Sequence, residues 1–198
     1  MKLKTLMLVF IFFIVAKGYS QDAVLYPEVK KQLDSLANLD VKAGRDMRTT
    51  KIENRDSLRK IFRETTVRNT EVLKQIFYKY GFPNYDKVGK EASKNFWLCV
   101  QHSDHDLKFQ QQVLKKMKVE VKRKKADPSN YAWLTDRVNV NSGKSQIYGT
   151  QLDYKADGTP IPKKLKDPET VNDRRKEIGL EPIEDYLEFV KEAQKQNL

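Results

Sequence analysis

Apolar residues recur in this chain at three- to five-residue steps with charges filling the positions between them, and that spacing restricts the fold to helices packed through one face. Val29, Leu33 and Leu36, continued by Val41 and Met47, mark a first amphipathic helix. Leu58, Ile61, Phe62, Val72, Leu73, Ile76 and Phe77 mark a second, over about Asp56 to Tyr80, with Thr65-Thr66-Val67 as a place where it can break. Gly81 ends it and Pro83 prevents its resumption. A shorter, more apolar helix is predicted from Glu91 to Gln101. Its run Phe96-Trp97-Leu98-Cys99-Val100 buries the lone cysteine as a small hydrophobe. Leu107, Val113, Leu114 and Met117 give the next helix an inner face, and its end, Lys115 to Lys125, carries seven cations against Glu120 alone.

Beyond Asp127-Pro128, which suits an N-cap followed by a first-turn proline, one or two helical turns are predicted from Tyr131 to Arg137. The period then changes. Val138 and Val140 alternate with asparagines, Asn141-Ser142-Gly143 reads as a turn, and Gln146 to Tyr154 reads as a β-run, so a hairpin is predicted there. Asp157-Gly158 with Pro160 and Pro162 reads as a loop. Asp167-Pro168 opens another helix that Gly179 closes, and Pro182 opens the last. The expected fold is mainly α with a small antiparallel β-hairpin (α+β) in a single compact domain. A chain of 198 residues can bury about 70% of the surface exposed when unfolded, so no staple is required. One cysteine allows neither an intrachain disulfide framework nor a cysteine-rich zinc site.

The amino terminus reads as a targeting signal. Lys2 and Lys4 precede an apolar run from Leu6 to Ala16, eleven residues long and too short to cross about 30 Å of hydrocarbon. Gly18 and Ser20 occupy the positions that a signal peptidase requires to be small, which predicts cleavage after Ser20 and an exported protein, periplasmic or secreted. Gln21 follows the cut, so lipid attachment there is not indicated. Loss of Lys2, Lys4 and Lys17 lowers the formal charge from +11 to +8. The predicted organisation is a signal peptide over 1–20, an N-terminal helical region over 21–55 and a core domain over 56–198. The first helix is expected to matter least to the core.

No Gly-rich phosphate loop, Gly-x-Ser-x-Gly elbow, His-Glu-x-x-His, calcium loop or Cys-x-x-Cys pair is present, which disfavours P-loop, α/β-hydrolase and zincin chemistry. Both histidines, His102 and His105, fall in one polar knot with Asp104 and Asp106. Imidazole and carboxylate there can relay a proton or bind a divalent ion, and equally can make a capped join between helices, Asp104 being placed to cap the next one.

Four motifs occur in order: Gln101-His102-Ser103-Asp104, Leu134-Thr135-Asp136-Arg137, Gln146-Ile147-Tyr148-Gly149-Thr150-Gln151, and Arg174-Arg175 with Gly179-Leu180. Together they resemble a bacterial domain family of unassigned function over about residues 69 to 188, with Ser103 where members typically carry alanine. The region 22–55 lies outside the matched part. The resemblance implies a fold and a shared site and no reaction. Physically, these motifs hold more hydrogen-bonding capacity than packing needs. His102, Asp104 and Asp136 are the catalytic candidates, and Gln101, Arg137, Tyr148, Thr150 and Gln151 the ligand-binding ones. A guanidinium at Arg137 can grip a carboxylate or phosphate through two parallel bonds, or can close a buried network with Asp104 or Asp136. The sets are expected to converge on one cleft, because each falls at an element end or turn.

Two functions follow from this reading. One is a binding module for an anionic or sugar-containing envelope ligand, using Arg137, Gln151 and nearby lysines. The alternative is a hydrolase-like enzyme with His102 as acid or base, with or without a divalent metal. No cofactor and no dedicated metal site is predicted. The basic run Lys115 to Lys125, with Lys163, Lys164 and Lys166, offers an anion surface or a solvated helix end. Nucleic acid is not an expected partner, since aromatic residues are not interleaved with the cations.

Overall fold

The computed structural model describes residues 24–49 and 55–195. The predicted signal peptide lies outside these residues. Among them the chain forms seven α-helices and one two-stranded antiparallel sheet, as the mainly α reading requires: α1 (Pro27–Thr49), α2 (Arg55–Tyr80), α3 (Tyr85–Gln101), α4 (Leu107–Lys122), α5 (Pro128–Asn141), β1 (Leu152–Tyr154), β2 (Pro160–Pro162), α6 (Val171–Glu177) and α7 (Ile183–Lys195). No helix among the described residues is long and apolar enough to cross a membrane.

Helices α1, α2 and α3 pack on one another, and α4 and α5 close the other side of α3. Leu33, Leu73, Phe96, Val100, Val113 and Leu134, one or more from each of these helices, are fully buried in one apolar cluster. Phe77 stacks on Phe96 at 6.4 Å and meets Phe109 edge-on at 5.8 Å, the offset and T-shaped geometries that aromatic quadrupoles favour. Cys99 is in this layer, 2% exposed, and burial pushes its thiol far above the ordinary range. The first helix, expected to matter least, instead inserts Val29, Leu33, Leu36 and Ala37 into the core. Leu25 and Tyr26 also donate backbone hydrogen bonds to Asp86 and Lys87 at the start of α3.

Helix α2 runs unbroken through Thr65-Thr66-Val67. Thr66 and Thr70 turn their hydroxyls back onto the carbonyls of Arg63 and Thr66, so the β-branched patch satisfies itself within the helix. Helix α3 starts at Tyr85, capped by Asn84, six residues before the predicted start. Gly89, at φ 80 and ψ 167, kinks it.

The hairpin exists but elsewhere. Val138 lies four residues after the buried Leu134, so it continues the apolar stripe of α5, and the helix runs to Asn141 with Gly143 (φ 73) just past its end. Burial on a helical period overrides the alternation with asparagine. The strands are β1 and β2, paired Leu152↔Pro162, Asp153↔Ile161 and Tyr154↔Pro160 around the Asp157-Gly158 turn. Both prolines fit because each strand of a two-stranded ribbon leaves half its backbone groups outside the ladder.

Candidate functional site

The carboxyl end of α3 is the joint of the molecule. His102 is the C-cap of α3, Ser103 is fully buried, and Asp104 lies in the link to α4. The cap of α4 is Asp106, whose side chain accepts from Phe109 N at 2.9 Å, and not Asp104. This leaves Asp104 free to face α5. It accepts from Arg137 Nε (2.8 Å) and Nη2 (2.5 Å), from Asn141 Nδ2 (2.8 Å) and from Gln110 Nε2 (3.2 Å). Desolvation pushes the Asp104 carboxyl up, but Arg137, Gln110 and Asn141 outweigh it and hold it below the usual carboxylate range. Gln101, with its amide oriented to suit its neighbours, accepts from Trp97 Nε1 (3.2 Å) and Leu134 N (3.1 Å).

Asp136 does not end a helix. It sits inside α5, fully buried, and gathers the segment 147–151: Ile147 N at 2.7 Å, Tyr148 N at 3.0 Å, and Thr150 N and Oγ1 both at 3.0 Å. Burial raises its pKa, against the pull of those donors. Gln151 Nε2 donates to Thr150 Oγ1 at 3.2 Å, and the buried Gln146 exchanges two hydrogen bonds with the Gln151 backbone. The carbonyls of the same segment are taken by Arg174 (Ile147 O, 2.9 Å), Arg175 (Tyr148 O, 2.7 Å) and Tyr186 (Thr150 O, 3.3 Å). Gly149, at φ 74, lies under Ile183, where an added Cβ would stand 2.4 Å from its Cδ1. Tyr148 is half-buried, and burial raises its hydroxyl's pKa.

The motifs therefore meet, but as closed networks in which polar groups satisfy one another. His102 stands apart from them. Its Nδ1 lies 2.6 Å from Asp40 Oδ2 of α1, its ring meets Phe62 edge-on at 5.5 Å, and its side chain is 30% exposed. No hydrogen bond reaches Nε2 among the described residues. Asp40 is 1% exposed and its Oδ1 has no hydrogen-bond partner among the described residues. Gln110 Oε1, on the Asp104 side of the joint, is likewise buried and without a hydrogen-bond partner among the described residues. His105 is exposed, and no group of three metal-capable side chains occurs among the described residues. In the basic run, Arg123 pairs with Glu120 and Lys125 with Asp86, while Lys115, Lys116 and Lys118 are exposed.

Sequence reasoning missed Asp40, Gln110 and Asn141. Asp40 was detectable: it continues the stripe Leu33, Leu36, Ala37 on the buried face of α1, where a carboxylate needs a partner.

Motif residues thus tie segment 147–151 to α5 and, through Arg174, Arg175 and Tyr186, to α6 and α7, within one mainly α domain. The chain belongs to a family of unknown function, DUF6624, whose model matches residues 27–197. That span includes α1, beyond the 69 to 188 covered by the motif resemblance. No curated protein and no solved structure matches the chain.

Proposed function

We propose that the protein is exported and carries out acid–base chemistry of the hydrolytic type at His102, with Asp40 as its positioning residue. The observation that carries this reading is the Asp40–His102 pair. A buried carboxylate on Nδ1 fixes the ring proton there and leaves the Nε2 lone pair free to take a proton from water or a hydroxyl. Both buried, unpartnered side-chain atoms found among the described residues flank this joint, which means that stability is given up there, as at sites kept for a purpose other than packing. Export rests on the sequence of residues 1–20. The test is turnover of an ester, phosphoester and glycoside panel. His102→Ala should abolish the activity, and Asp40→Asn should lower kcat about 10²- to 10⁴-fold with KM little changed. Equal turnover by wild type and both variants, or none by wild type on any class, would remove the reading and leave the pair as a tie between α1 and α3.

A second reading keeps the binding module for an anionic or sugar-containing envelope ligand at Arg137. It is supported by Nη1 of that guanidinium, which no hydrogen bond occupies among the described residues, on a side chain 28% exposed. Arg137→Ala is expected to lower stability by about 1–2 kcal/mol in urea unfolding, because two charge-assisted bonds to a half-exposed Asp104 are lost. Unchanged stability with lost ligand binding would favour this second reading.

A further inference from the structure

Polar groups that face one space either satisfy one another or await a ligand. The motif residues do the former. A cleft of about 130 Å³ between the first half of α3 and the start of α5, floored by Met117, does the latter. Ser93 lines it; the residue is 4% exposed, and its hydroxyl, which opens on the cleft and is not sealed in the core, makes no hydrogen bond among the described residues. A buried helical serine ordinarily bonds the carbonyl four residues back. Here that residue is Gly89, whose non-helical ψ of 167 turns the carbonyl away. Tyr85 and Asn130 bring a hydroxyl and an amide to the same cleft, neither of which makes a side-chain hydrogen bond among the described residues. Lys90 and Lys94, one turn apart, have no carboxylate within ion-pair distance among the described residues. Lys90 instead lies 5.8 Å from the centre of the Tyr85 ring. Asp127 caps α5 through Oδ1 alone, leaving Oδ2 as an acceptor, and Glu91 adds a second carboxylate at the rim.

We infer that this cleft binds an acidic monosaccharide unit, a sugar ring bearing one carboxylate or phosphate. Ring hydroxyls both donate and accept, which matches a set holding Ser, Tyr and Asn donors beside the Asp127 acceptor. The two ammonium groups supply the place for the ligand's negative charge, and the two carboxylates exclude ligands that are anionic all round. The volume is about ten times the minimum for one water and well short of an extended chain, which suits one ring. The site is separate from His102, which lies eight residues, about 12 Å of helix, beyond Lys94.

Calorimetric titration of the full-length chain with glucuronate, glucose 6-phosphate, glucose and inorganic phosphate tests the assignment. At least one of the two acidic sugars should bind about tenfold or more tightly than glucose and than inorganic phosphate. Lys90→Gln with Lys94→Gln should erase the margin over glucose. Ser93→Ala should weaken the acidic sugar up to about tenfold while leaving thermal stability unchanged or raised, because the lost hydroxyl had no partner to forfeit. Inorganic phosphate binding as tightly as the acidic sugars, binding indifferent to Ser93→Ala and to the double lysine variant, or no heat with either acidic sugar would overturn it. Which acidic sugar binds tells carboxylate from phosphate as the source of the charge.

Discussion

Asp136→Ala is expected to cost about 5 kcal/mol, enough to leave little folded protein. The substitution strips acceptors from three backbone N–H groups and one hydroxyl at once, those of Ile147, Tyr148 and Thr150, in a place with no solvent to replace them. Each orphaned buried donor costs about 1–3 kcal/mol, and a domain of this kind has only about 5–15 kcal/mol in all. Urea unfolding of the purified variant measures the loss. Asp136→Asn keeps the shape and one carbonyl oxygen but turns an amide towards Thr150 N, so it should fall between wild type and alanine. A loss under about 1 kcal/mol for alanine would mean that the segment 147–151 is held by something other than this carboxylate.

The second large effect is expected at Arg175, whose side chain is 1% exposed. Its Nε donates to Glu181 O at 2.6 Å, its Nη1 to Tyr148 O at 2.7 Å, and its Cζ sits 5.2 Å from the centre of the Tyr186 ring. Desolvation lowers its pKa, a cost offset by those contacts. Arg175→Ala should cost about 3–5 kcal/mol and raise amide exchange first in residues 147–151 and in α7, the parts it ties together. Lysine should not rescue, because a single ammonium cannot reach two carbonyls along the fixed directions of a guanidinium fork. Full rescue by Arg175→Lys would show that the charge matters and the geometry does not.

These two residues also show where sequence reading reaches its limit. The helices were legible because Leu33, Leu73, Phe96 and Val113 repeat on one face, and their ends because Gly81, Asp127-Pro128 and Gly179 have local meanings. The hairpin was misplaced because four residues of alternation, Val138 to Asn141, cannot outweigh a helical stripe visible only once Leu134 is known to be buried. The motifs were found as polar residues in excess of packing needs, and they meet, but in closed networks and not around one cleft, with His102 apart. What a sequence does not contain is which partner each takes. Asp104 took Arg137 and left the capping of α4 to Asp106, and His102 turned to Asp40, 62 residues earlier, so the imidazole separated from the carboxylates beside it in the chain. The cleft at Ser93 had no sequence signature at all, since it depends on Gly89 leaving the helix.

The burial of Cys99 gives the protein a chemical memory of its own folding. While α3 is packed, the sulfur is sealed from reagents and held in its unreactive protonated form. It reacts only in molecules that have opened, at a rate set by how often they open. In an oxidising compartment, a chain that stays folded accumulates no modification, whereas one that opens can be joined to another by a disulfide and fixed in that state. A covalent dimer formed there through Cys99 would accordingly be a record of past unfolding and carry no information about an interface.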